Sequence, residues 1–66
     1  MIKIYLRDED GQVLRILRDP TVPRIGDVIN SPYITGLWRV AHVQRAYDEV
    51  ETLSHVDVHA VPAGTP

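Results

Sequence analysis

His55, Asp57 and His59 alternate with valines near the end of the chain, so on an extended strand all three share one face. Histidine with carboxylate is a common metal-binding set. Strand geometry works against it here. At roughly 3.3 Å per residue the two histidines stand about 13 Å apart, too far for both to reach one ion through bonds of about 2 Å. One histidine with Asp57, completed by His42 from a neighbouring strand, is the remaining arrangement. A solvated face with a His–Asp hydrogen bond explains the same residues more simply, so neither a metal site nor a cofactor is expected. Ser54, His55 and Asp57 also hold the side-chain types of a nucleophilic triad. Adjacent strand residues point to opposite faces, which separates Ser54 from His55, and no catalytic residue is assigned.

A second group lies at the other end of the chain. Lys3, Tyr5 and Arg7 occupy one face of a strand, and Arg15 is expected opposite Tyr5. Cations around an aromatic ring suit a nucleic-acid base stacked beside phosphate contacts. The acidic run Asp8-Glu9-Asp10 closes this patch and repels a phosphate backbone. Val13 and Leu17 fall on the same face in the expected register. Tyr5, Val13 and Leu17 rimmed by Arg7 and Arg15 read more naturally as a protein interface, where tyrosine and arginine are favoured anchors.

These groups need elements to position them. Ile2, Ile4 and Leu6 alternate with Lys3, Tyr5 and Arg7, the period of a strand with one buried face. Glu9-Asp10-Gly11 suits a three-residue hairpin loop with glycine in the left-handed conformation. That loop sets Leu6 across from Leu14 and Ile4 across from Ile16. Asp19-Pro20-Thr21-Val22-Pro23 connects, because two prolines remove ladder donors. A third strand is expected from Asp27 to Asn30, followed by an irregular turn through Ser31-Pro32-Tyr33 and Gly36. Trp38, Val40 and Val43 mark a fourth strand whose apolar spacing changes from two to three at Ala41-His42, which predicts a β-bulge. A fifth runs from Ser54 to Val61, with Asp48, Glu49 and Glu51 on the solvated turn before it. No stretch keeps a helical period, and no internal repeat stands out.

Five short strands, the fourth long and bent, predict an all-β, partly open small barrel over residues 1–61 as a single domain, with a flexible tail at 62–66. The expected core is Ile2, Ile4, Leu6, Leu14, Ile16, Val28, Trp38, Val40, Val43, Val56 and Val58, with Trp38 its largest member.

Val22-Pro23-Arg24-Ile25-Gly26-Asp27-Val28-Ile29, followed by Gly36-Leu37-Trp38-Arg39-Val40 and Val43, resembles a phrase of the SH3-like small barrels. More narrowly it resembles small uncharacterised bacterial and phage proteins that carry it. The resemblance covers residues 22–61 and implies a five-stranded SH3-like barrel. Its motifs are turn and core residues, so it speaks for fold and assigns no functional residue, since such barrels bind nucleic acid, bind peptides and build oligomeric enzymes.

Composition narrows the function classes. In 66 residues, seven basic side chains against nine acidic ones leave a net charge of −2, so no global attraction to nucleic acid or anionic lipid operates. Without cysteine there is no disulfide framework, no thiolate chemistry and no zinc ribbon, which fits a reducing, cytoplasmic setting. No run approaches a membrane helix. The expectation is a non-enzymatic module that binds a protein partner or itself through Tyr5, Arg7, Val13, Arg15 and Leu17. The alternatives are a nucleic-acid-binding barrel using Lys3, Tyr5, Arg7 and Arg15, and an enzyme assembled symmetrically from several copies.

Overall fold

A computed structural model describes residues 1–32 and 34–63. Five strands, β1 (Ile2–Arg7), β2 (Val13–Asp19), β3 (Val28–Ile29), β4 (Trp38–Tyr47) and β5 (Leu53–Pro62), form one sheet in the order β2-β1-β5-β4-β3. The sheet curls into a half-barrel, so the fold is an all-β, partly open small barrel, and the described residues contain no helix. None is therefore long and apolar enough to cross a membrane.

β1 and β5 lie side by side in parallel, with Ile4 aligned to Val56, Leu6 to Val58 and Arg7 to His59. Each is the inner strand of an antiparallel hairpin, β1 with β2 and β5 with β4. Central position explains the core. Ile4, Leu6, Val56, Val58 and Ala60 come from these two strands, Val40 joins them from β4, and all six are buried. Ile2, Leu14, Leu17, Val22, Ile29, Ile34, Trp38, Val43 and Leu53 pack around them. Trp38 is half-buried, and its ring is oriented by Nε1–H donating to the Thr35 carbonyl at 2.9 Å.

The first hairpin corrects the expected register. Its loop forms as expected: the Asp8 N–H donates to the Gln12 carbonyl at 2.9 Å, and the Gly11 N–H donates to the Asp8 carbonyl at 3.1 Å. Gly11 has φ 85°, which glycine adopts without steric cost. One step further along, the alignment slips. Arg7 faces Val13, but Leu6 faces Arg15 rather than Leu14, because β2 carries an extra residue in a bulge. Every later residue changes face. Tyr5 is therefore opposite Ile16, and Ile4 is opposite Leu17. Ile16, expected in the core, is 48% exposed, and Leu17, expected outside, packs against the core.

The bulge expected at Ala41-His42 forms, since Val40 aligns with Ala60 and His42 with His59. β3 is shorter than expected. Val28 aligns with Arg39 on the outer face and is 49% exposed, so Ile29, aligned with Trp38, fills the position expected of Val28. Gly26 has φ 96°, the Asp27 N–H donates to the Arg24 carbonyl, and an Asp27 carboxylate oxygen accepts from the Arg24 N–H at 2.9 Å. β5 reaches Pro62, and the Ala63 N–H donates to the Leu37 carbonyl at 2.8 Å, so residues 62 and 63, expected in the tail, are held by the sheet. The remainder of that tail, residues 64–66, and Tyr33 lie outside the described residues.

The second hairpin loop repeats the first. Asp48 N–H donates to the Thr52 carbonyl and Glu51 N–H to the Asp48 carbonyl, both at 3.0 Å. Asp8 Oδ1 accepts from the Asp10 and Gln12 amides, and Asp48 Oδ1 accepts from those of Val50 and Thr52. Asp-Glu opens both loops, a repeat too short to stand out in the sequence. The difference is at the left-handed position, where Glu51 (φ 61°) stands in place of a glycine. Glu51→Gly is expected to stabilise the chain by about 0.5–1 kcal/mol, read as a rise in the denaturant midpoint. A fall in that midpoint would contradict the assigned loop geometry.

Candidate functional site

The outer face of the half-barrel carries Lys3, Tyr5, Arg7, His55, Asp57 and His59 of the side chains that the sequence singles out. Parallel pairing of β1 with β5 brings Tyr5 beside Asp57, two residues more than fifty positions apart in the chain. Arg7 Nε–H donates to Asp57 Oδ1 at 2.8 Å, and an Arg7 Nη1–H donates to the Gly11 carbonyl at 2.8 Å. One guanidinium therefore ties the first hairpin loop to β5. The other carboxylate oxygen, Oδ2, lies 3.2 Å from His55 Nε2. Burial alone would raise the Asp57 carboxyl, but the hydrogen bond and charge of Arg7, helped by His55, outweigh it and hold it below the ordinary carboxylate range.

Tyr5 is the hub of this group. Its ring meets His55 edge to face, with centroids 4.7 Å apart, and lies beneath the Lys3 ammonium at 5.2 Å and the Arg7 guanidinium at 5.7 Å. Lys3, Tyr5 and Arg7 are thus together as the nucleic-acid alternative requires, but the Arg7 charge is already paired with Asp57. Arg15, the fourth residue of that expected set, aligns with Leu6 rather than Tyr5 because of the bulge. No binding to a generic oligonucleotide is expected at low salt. Affinity falling steeply with added salt would contradict this.

Ser54 and His55 depart from the expected separation. Ser54 Oγ lies 3.4 Å from His55 Nδ1, although the two are adjacent on the strand. With the His55–Asp57 contact this makes a Ser–His–Asp line. Its serine contact is at the limit of a hydrogen bond, and its aspartate already neutralises Arg7. His42 and His59 face each other across β4 and β5 with ring centroids 5.8 Å apart. Among the described residues, no group of three or more His, Asp or Glu side chains is placed to hold a metal ion.

Beside the polar group lies an apolar one. Ile16 stands directly opposite Tyr5 and is 48% exposed, and Val13, opposite Arg7, is 44% exposed. Arg18 pairs with Lys3 in the same register and lies on this face. Of the five residues expected to bind a partner, the structure gathers Tyr5, Arg7 and Val13. It turns Leu17 inward and moves Arg15 out of line, and Ile16 takes the place expected of Leu17. The sequence alone missed Ile16, since only the bulge decides its face. β2 is also the terminal strand of the sheet, so among the described residues no strand adjoins its other side. A cleft of about 260 Å³ is lined by Leu14, Ile34, Thr35 and Trp38.

Comparison of the chain with protein-family models, curated proteins and solved structures finds no match.

Proposed function

We propose that this chain is a protein-interaction module that uses the outer face of its first hairpin, with Tyr5, Val13 and Ile16 as the apolar centre and Lys3, Arg7 and Arg18 as the polar rim. The observation that carries this reading is Ile16. A β-branched side chain almost half exposed, opposite a tyrosine on a terminal strand, leaves apolar surface in water that a partner would cover. The small core supports it too, because short chains commonly gain stability from association.

The test compares the wild-type chain with Ile16→Lys, a change on an exposed side chain that leaves the six-residue core intact. Each is measured by light scattering for self-association and immobilised to retain proteins from an extract of the source cells. The expected result is an associate, a second copy or another protein, that the wild type holds and the variant releases. Equal masses and equal retained proteins for both chains would overturn the reading.

A further inference from the structure

We infer that the chain forms a two-fold dimer in which the β2 edges of two copies pair antiparallel about Leu17, placing Arg15 of each copy opposite Asp19 of the other. The inference deepens the proposed interaction surface and rests on that reading, and it names the partner as a second copy.

Two independent features of β2 select this register. The first is the bulge. The ladder slips between Leu6 and Arg7, where Leu14 is the extra residue, so the strand is regular only from Arg15 to Asp19. A bulge twists an edge away from an incoming strand and confines pairing to the regular stretch beyond it. The second is charge. A two-fold axis normal to the sheet centres on one residue, which leaves few registers. Centred on Ile16, Asp19 meets Val13 and Arg18 meets Leu14, so no opposite charges align and the pairing must cross the bulge. Centred on Arg18, two arginines meet directly, which is destabilising. Centred on Leu17, pairing covers the regular five residues, Ile16 meets Arg18, and Arg15 meets Asp19 twice by symmetry.

Side-chain direction agrees. Leu17 lies on the concave face with the core, so the two leucines meet where the half-barrels adjoin. Ile16 lies on the outer face, where the aliphatic stem of Arg18 from the second copy covers it. Asp19 uses Oδ1 to accept from the N–H and hydroxyl of Thr21, so the described contacts leave Oδ2 to face the second copy. Arg15 already engages a neighbour in its own chain, and the contact with Asp19 of the second copy adds to or replaces that one. Joined in this way, two five-stranded sheets become one of about ten strands with both β2 edges covered.

The experiment is light scattering across a concentration series for the wild type, Arg15→Glu, Asp19→Lys and the double charge exchange, with Trp38 fluorescence confirming that each chain is folded. The expected result is a wild-type dimer of twice the 7.5 kDa chain mass. Each single reversal weakens the dimer about tenfold, since two symmetric pairs turn from attraction to repulsion, and the double exchange restores it. Should Asp19→Lys fail to fold, Arg15→Glu carries the test, because Arg15 is exposed. Single reversals that associate as tightly as the wild type, or a double exchange that fails to restore the dimer, would overturn this register. A monomeric wild type whose retained protein still depends on Ile16 would overturn the dimer alone. A monomer with no such protein would overturn the interaction reading as well.

Discussion

Leu17→Ser is expected to destabilise the chain by about 2–3 kcal/mol, while Ile16→Ser, one residue earlier, costs less than about 1 kcal/mol. Both substitutions replace a four-carbon apolar side chain on the same strand with a small polar one. Their difference comes from the bulge, which packs Leu17 against the core opposite Ile4 and leaves Ile16 facing water opposite Tyr5. Denaturant unfolding of the two variants measures it. In so short a chain, a loss of that size is a large part of the total stability. Equal losses, or a larger loss at Ile16, would place the bulge elsewhere and remove Ile16 from the proposed surface.

Asp57→Asn is the second large effect. The substitution keeps the size of the side chain but leaves the Arg7 guanidinium and His55 without the carboxylate that joins them. Hydrogen bonds to charged groups contribute more than neutral ones, and a cost of about 1–2 kcal/mol at neutral pH is expected for this partly buried site. The pH dependence has a definite sign. Arg7 and His55 hold the Asp57 carboxyl below its ordinary value in the folded chain. Its contribution is therefore fully present above the unfolded value of about 3.9 and is lost as pH falls through the lower folded value. Unfolding free energies of wild type and variant should differ at pH 7, begin to approach each other only below about pH 4, and converge once pH has fallen past the lower folded value. A gap that persists in acid would mean that Asp57 acts through packing rather than charge.

Much of the fold is legible in local patterns. Glu9-Asp10-Gly11 specified its loop because few residues other than glycine take the left-handed position cheaply. The bend at Ala41 was visible because valine and tryptophan mark only one parity of β4, so a change of spacing shows. The bulge at Leu14 was not. Val13, Leu14, Ile16 and Leu17 put apolar residues on both parities of β2, and either face then reads as the core. Only the partner strand decides. Tertiary adjacency hid the rest. His55 and Asp57 share a face by simple alternation, and their contact follows from spacing. The Arg7–Asp57 pair depends on β1 lying parallel to β5, which no local signal announces. Ala60 is a different case: alternation along β5 sets it on the inner face with Val56 and Val58, and only its small size keeps it out of the expected core.

The most direct measurement uses the absence of cysteine from the chain. Single thiols introduced as Ile16→Cys and Leu17→Cys, labelled at high dilution where copies stay apart, report which side of β2 meets water. The bulged hairpin predicts faster labelling at 16 than at 17, where the side chain packs against the core. Slow labelling at 16 with fast labelling at 17 would restore the unbulged register, bury Ile16, and contradict the interaction surface proposed for this protein.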